Sequence, residues 1–375
     1  MKIIAFYLPQ FHSIPENDEW WGEGFTEWTN VKKAMPLFEG HNQPRIPLKE
    51  NYYNLLEDSI KEWQVDLANK YGIYGFCVYH YWFNGKLLLE KPMEQFLKNK
   101  SLQTHFCFCW ANEHWTNAWE AGGSTKTLIA QKYGRQKEWE EHFNYFLPFF
   151  CDERYIKNKN RPLLVIYRPE LIDCLNEMLE FWNKKAIMNG FSGIDFAYQC
   201  ASFSVASNSD ESHFTYAIEY QPNCIQVFND MKHYPQLKRI KKRILTLFEN
   251  RLKIDLREKR KEMQGLKRYN YDEIWENILQ MAPRNDKCIP GAFVDWDNTP
   301  RRGSLGFVVE GATPEKFEKY MVRQIFHARE TYKKDMIFVF SWNEWAEGGY
   351  LEPDEKNGLG YLQAIYRALK ITGEV

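Results

Sequence analysis

The chain has 375 residues, long enough for two domains or for one α/β barrel with insertions, and no Gly-, Ser- or Pro-rich run reads as a linker. A formal net charge of −1 excludes a global field that would recruit nucleic acid. Hydrophobic residues at 44% and charged residues at 26% allow an ordinary soluble core, and no apolar run approaches membrane-spanning length.

Met1 leads directly into Lys2-Ile3-Ile4-Ala5-Phe6-Tyr7, which reads as a strand and not as a secretory leader. Strand candidates follow at residues 2–7, 74–80, 104–110, 163–167, 194–199, 214–219, 291–295 and 336–340. Amphipathic helical patterns lie between most of them, at Leu55 to Tyr71, Trp139 to Phe150 and Leu171 to Met188. Another begins at Thr313 as N-cap, with Pro314 at the first helical position and Phe317, Met321 and Ile325 on one face. Eight strands alternating with helices predict an α/β fold, a (β/α)₈ TIM barrel forming one domain over 1–375. A doubly wound open sheet is the alternative, but no glycine-rich phosphate motif follows the first strand. The eight cysteines form no C-x-x-C, and those in strands read as small hydrophobes, so a reduced, cytoplasmic protein is expected.

Barrel enzymes carry function at the C-terminal ends of their strands, and these ends are unusual here. The first leads into Tyr7, Gln10 and His12, the second into Tyr79, His80 and Trp82, and the third into Trp110, Asn112, Glu113 and Trp115. Strand four ends in Tyr167-Arg168, strand five at Tyr198-Gln199 and strand six at Glu219-Tyr220. The seventh ends in Asp295-Trp296-Asp297, and the eighth runs into Trp342-Asn343-Glu344-Trp345-Ala346-Glu347-Gly348. Any single His or Asp among these is more often structural than catalytic; the recurrence of polar and aromatic residues at one end is the signal. The loop 17–28, with Trp20, Trp21 and Trp28, reads equally as a packed lid or a sugar platform.

Paired carboxylates beside indole rings suit glycosidic-bond chemistry, in which one group protonates a leaving oxygen and another acts beside the anomeric carbon. Glu344 and Glu347 are therefore the catalytic candidates, able to face one pocket if their segment turns back on itself, at the separation of retaining enzymes. Trp345 is expected to wall Glu347 and keep it protonated while Glu344 stays ionised; Trp342 and Asn343 are expected to orient the pair. Tyr7, Gln10, His12, Trp28, Tyr79, His80, Trp82, Trp110, Asn112, Glu113, Trp115, Asp295 and Asp297 complete the expected sugar site. The alternative to this role is an ion-pair network that gathers the carboxylates for structural reasons. No His spacing suggests a metal site and no cofactor is expected. Asp295-Trp296-Asp297 is formally a D-x-D, the weak signal for a transferase using a nucleotide sugar; a non-catalytic glycan-binding protein is the third reading.

From Lys232 to Arg268 basic residues crowd together with apolar positions at helical spacing, predicting a helical insertion after strand six, within about 222–285. A solvated helical face is the simpler reading; docking on an anionic membrane, peripheral at the inner membrane, or on a polyanionic glycan is the sharper one.

The stretches Phe6–His12, Trp20–Asn30, His80–Phe83, Trp110–Glu113, Asp295–Arg301 and Trp342–Gly348 together resemble the WbsX-like proteins. These are bacterial proteins of surface-polysaccharide gene clusters (O-antigen or capsule), usually described as glycosyltransferases and related to glycoside hydrolase family 99, the endo-α-mannosidases and endomannanases. The resemblance implies a (β/α)₈ barrel without a metal requirement, acting on an oligosaccharide or polysaccharide. It also implies that Glu344 acts on the sugar 2-hydroxyl and Glu347 serves as general acid/base, with retention through a 1,2-anhydro sugar.

Overall fold

The computed structural model describes residues 1–116, 126–201, 211–225 and 265–375. Its centre is a parallel sheet whose strands are apolar on both faces, as strands covered by helices outside and packed against one another inside must be. In chain order these are β1 (Lys2–Tyr7), β2 (Gly75–Phe83), β3 (His105–Trp110), β4 (Arg161–Ile166), β5 (Asp195–Cys200), β6 (Tyr216–Glu219), β7 in two pieces (Cys288–Ile289 and Gly291–Phe293) and β8 (Met336–Phe340). Each pairs in parallel with the next from β1 to β6, as in Ile4 with Gly75, Gly75 with His105 and Leu163 with Asp195. β8 returns to β1, Lys2 lying opposite Met336.

Closure falls to β7. Its first piece pairs with β6 (Ala217 with Cys288) and its second with β8 (Gly291 with Phe338). Pro290, which has no N–H to offer a ladder, separates the two. The result is a nearly closed, TIM-like parallel barrel. Gly291 is required at this seam, because a Cβ there would lie 1.7 Å from the Glu219 carbonyl oxygen. Inside, Phe6 packs on Tyr79, Tyr220 and Phe338 at centroid distances of 5.8, 5.3 and 5.7 Å. This aromatic layer fills the barrel beneath its C-terminal mouth.

The flanking helices are α1 (Pro15–Trp21), α2 (Glu27–Lys33), α3 (Asp58–Lys70), α4 (Lys91–Lys98), α5 (Gln136–Cys151), α6 (Leu175–Met188), α7 (Tyr271–Leu279), α8 (Pro314–His327) and α9 (Gly360–Ile371). α8 starts as its sequence predicts: the Thr313 side chain accepts from the Lys316 N–H at 3.3 Å, and Phe317, Met321 and Ile325 are buried. Most of the basic stretch 232–268, including the positions that carry its helical reading, lies outside the described residues; at its end Lys267–Asn270 is a strand that pairs in parallel with Phe307–Glu310. Among the described residues, no helix is long and apolar enough to cross a membrane.

Candidate active site

The segment after β8 folds back on itself. Asn343–Glu344 pairs antiparallel with Gly349–Tyr350, and Trp345–Glu347 forms one 3₁₀ turn between them. The Ser341 hydroxyl accepts from the Glu344 N–H at 2.8 Å and donates to the Gly349 carbonyl. Asn343 binds the backbone of Leu8 both ways, accepting from its N–H at 2.8 Å and donating to its carbonyl at 3.0 Å. Gly348 ends the turn at φ +70°, where a side chain would be strained and a Cβ would meet Asp297 N at 2.7 Å. The Asp297 N–H in turn donates to the Glu347 carbonyl at 2.7 Å.

This hairpin brings both carboxylates to one guanidinium. Arg301, on the short helix Thr299–Arg302, donates from Nη1 to Glu347 at 2.7 Å and from Nη2 to Glu344 at 3.3 Å. Its Nε donates to a third carboxylate, Glu27 at the start of α2, at 2.9 Å. Burial pushes Glu344 up to about 8; Arg301 opposes this, while Glu347 and Glu27 add to it. Burial also raises Glu347, again against Arg301 and with Glu27. One positive charge cannot hold three buried negative ones without a proton, so the cluster retains acid character near neutrality.

An open cavity lies over the cluster at the C-terminal mouth. Leu8 and Gln10 line it after β1, Tyr79 and Tyr81 from β2, and Tyr167 and Tyr220 after β4 and β6. Asn17, Trp21, Phe25, Glu27 and Asn30 supply the wall from α1, α2 and the link between them, and Glu113, His114, Trp115 and Thr116 the wall after β3. Trp115 packs between Trp20, Tyr81 and Phe83 at 5.6, 5.3 and 5.7 Å. Opposite, Arg168 pairs with both Glu113 and Glu170. Burial raises the Glu113 carboxyl and Arg168 pulls it back. The buried tyrosine hydroxyls are pushed upward and stay protonated.

Of the residues expected from sequence, Gln10, Tyr79, Glu113 and Trp115 line this cavity with Glu344 and Glu347. The others sit elsewhere, for reasons of strand alternation and hydrogen-bond need. Side chains one residue off the inward face point into the helix layer. Thus Tyr7 donates to Gln64 of α3 at 2.8 Å, and His80 meets His142 of α5 at 2.9 Å. Trp82 stacks on His142 at 4.4 Å, and Trp110 packs between His142 and Trp182. Asn112 clamps the backbone of Arg168, donating and accepting at 2.7 Å each. His12 contacts the Pro9 carbonyl at 3.1 Å, and Trp28 donates to the Tyr53 carbonyl at 2.8 Å while packing on Phe11 and Trp345.

The two motif tryptophans face away from the cavity. Trp342 and Trp345 both donate to the buried Glu352 carboxylate, at 3.0 and 2.7 Å, and Trp345 stacks on Tyr350 at 3.8 Å. Burial in the cluster, and not an indole wall, therefore raises Glu347, and it raises Glu344 too, against the expectation that Glu344 stays ionised. Asp295 is paired with Arg45 at 2.9 Å. Asp297 accepts from His41 at 2.8 Å, Gln43 at 2.6 Å and Thr299 Oγ1 at 2.6 Å. These partners occupy the D-x-D, and among the described residues no cluster of three His, Cys, Asp or Glu is placed to hold a metal ion. Glu27 and Arg301 escaped the sequence reading although both lie in its motif stretches. Tyr81 was available from the two-residue period after Tyr79, and Tyr167 and Tyr220 stood at strand ends.

The fold is similar to that of the GH99 endo-alpha-mannosidase from Bacteroides thetaiotaomicron, with a TM-score of 0.56 and 13% identity over 99% of this chain and 97% of that one. It is similar also to a glycoside hydrolase-like protein, with a TM-score of 0.55 and 10% identity over 98% and 93% of the two chains. At such identities the likeness is one of fold. In sequence, the uncharacterized protein WxcX of Xanthomonas campestris pv. campestris, in strain B100 and a second strain, is 35% identical over 369 residues. The match takes in 98% of this chain and 49% of WxcX, so the chain spans about half the length of the curated relatives it matches. Residues 3–365 match the family described as Glycosyltransferase WbsX, and the chain belongs to that family.

Proposed function

We propose that this chain is a carbohydrate-active enzyme, a single (β/α)₈ domain that breaks or transfers glycosidic bonds of a surface polysaccharide or its precursor with retention. One observation carries the proposal: Glu344 and Glu347 reach neighbouring nitrogens of Arg301 inside an aromatic cavity at the strand ends. The reaction needs one proton across such a pair. Glu344 takes the proton of the sugar 2-hydroxyl as its oxygen bonds to the anomeric carbon, and the glycosidic C–O bond breaks as Glu347 protonates the departing oxygen. Water or a sugar hydroxyl then attacks the anomeric carbon and opens the 1,2-anhydro ring. Glu347 takes the attacker's proton and Glu344 returns one to the 2-oxygen.

The family's description favours transfer, and a sugar hydroxyl as acceptor satisfies it without a nucleotide donor. Arg45, His41, Gln43 and Thr299 already engage the D-x-D carboxylates, which speaks against a metal–diphosphate site there. The test uses the host's surface glycan and aryl glycosides with good leaving groups. Glu347→Gln should cost about 10²–10⁴-fold on the glycan and least on activated aryl glycosides. Glu344→Gln should be damaging on both. Full activity in either variant, or turnover that requires a nucleotide sugar and manganese, would overturn the proposal.

A further inference from the structure

Arg301 has three donating nitrogens, and the candidate acid and base engage two of them. The third, Nε, is held by Glu27 at 2.9 Å. Glu27 is 2% exposed and fixed from both sides of its helix start. Its N–H donates to the Gln10 carbonyl at 3.0 Å, and the next residue, Trp28, packs on Trp345 at 5.4 Å. α2 is thereby docked on the turn that carries Glu347, and the Glu27 carboxylate has a fixed place beside the pair.

We infer that Glu27 is a positioning residue that sets how many protons the Glu344–Glu347 pair holds, by occupying Arg301 with a third negative charge. This rests on the proposed role of the pair as acid and base. With all three carboxylates ionised around one guanidinium, the closed cluster would carry a net charge of −2; one proton brings it to −1 (three acids, one Arg301). Glu27 raises both Glu344 and Glu347, and Arg301 lowers both. The other groups facing the cluster leave this balance in place. Tyr79 and Tyr81 from β2, Tyr167 after β4 and Tyr220 after β6 stay protonated. Arg302 adds a weaker pull on Glu347, and Glu113 lies across the cavity in its pairing with Arg168. A catalyst that needs one acid and one base from two adjacent glutamates gains that state from a third acid bound to the same guanidinium.

The test is Glu27→Gln, which keeps the side chain's size and removes its charge. NMR of protein labelled at the glutamate carboxyls reads the titration of the pair without substrate, with Glu344→Gln and Glu347→Gln assigning the signals. The midpoint of the pair should fall by about one pH unit, the scale of a lost neighbouring charge. Glu219 and Glu352, buried acids outside the cluster and both pushed up to about 7, should not move. In turnover, the alkaline limb of the rate profile should shift down by the same amount, with kcat affected and KM little changed. If Glu27→Gln does not fold, Glu27→Asp, which keeps the charge but draws it back from Arg301 by one methylene, should move the midpoint in the same direction by a smaller amount. An unmoved midpoint in the variant that folds overturns the inference. Full activity of Glu344→Gln or Glu347→Gln would instead remove the acid–base reading, while the titration still decides the coupling.

Discussion

Replacing Asp297 by asparagine tests how the site is braced from behind. The carboxylate is fully buried and takes four donated bonds. One oxygen accepts from the Thr299 N–H at 3.0 Å and its hydroxyl at 2.6 Å, the other from His41 Nε2 at 2.8 Å and Gln43 Nε2 at 2.6 Å. An asparagine amide must turn its NH₂ toward one of these pairs. Gln43 can flip its amide and the Thr299 hydroxyl can rotate, but neither remaining donor can adapt. The Thr299 N–H is backbone, and His41 must carry its proton on Nε2 because its Nδ1 accepts from the Leu37 N–H at 3.0 Å. One buried donor is therefore orphaned whichever way the amide sits, at about 1–3 kcal/mol.

Linkage gives an independent figure for the same site. Burial would raise Asp297, but His41, Arg45, Thr299 and Gln43 together hold it down at about 2. A depressed acid contributes stability that is present above its unfolded value and lost as pH falls through the folded one; a drop from 3.8 to about 2 corresponds to roughly 2 kcal/mol. Asp297→Asn should therefore melt several degrees below wild type at neutral pH, and the gap should close between about pH 4 and pH 2, where protonated aspartic acid and asparagine become equivalent. Thermal melts of both proteins across that range are the assay. A gap that is absent at neutral pH, or unchanged in acid, would refute the hydrogen-bond argument. Because the Asp297 N–H holds the Glu347 carbonyl, turnover should fall in the same variant.

Two further outcomes follow from other parts of the barrel. Gly291→Ala places a methyl 1.7 Å from the Glu219 carbonyl oxygen, so β6 and β7 must separate; denaturant titration should show a loss of about 3 kcal/mol or more. Glu219 is raised by burial to about 7, with the Tyr332 hydroxyl donating to it at 2.8 Å. A raised acid loses stability as pH climbs from its unfolded value to its folded one. Glu219→Gln should therefore melt higher than wild type above about pH 7, by up to about 3 kcal/mol, and no higher below about pH 4.

Much of the frame was legible because its physics is local. Met336–Phe340 and Lys2–Tyr7 are strands with the bounds their apolar runs predict, and Thr313-Pro314 marks a helix start by capping chemistry alone. The site was legible only where geometry did not have to choose between neighbours. His80 and Tyr81 are adjacent in sequence, yet one faces His142 and the other the cavity, and nothing in composition separates them. Trp342 and Trp345 look like sugar platforms until Glu352, seven residues beyond Trp345, is seen to claim both indoles. Arg301 and Glu27 lie 274 positions apart, so their meeting belongs to tertiary structure and leaves no spacing to read.

The inward turn of those two indoles separates what makes the segment recognisable from what makes it selective. Trp342, Asn343 and Trp345 spend their polar atoms on Glu352 and on the backbone of Leu8. The groups that would meet a ligand (Trp21, Phe25, Tyr81 and Trp115) come from other parts of the chain. A descendant could exchange every one of those rings, and with them the ligand its cavity accepts, while the tryptophan–glutamate signature stayed intact. The signature thus certifies the chassis and says little about the cargo, so engineering a new substrate preference should begin at α1, α2 and the loop after β3.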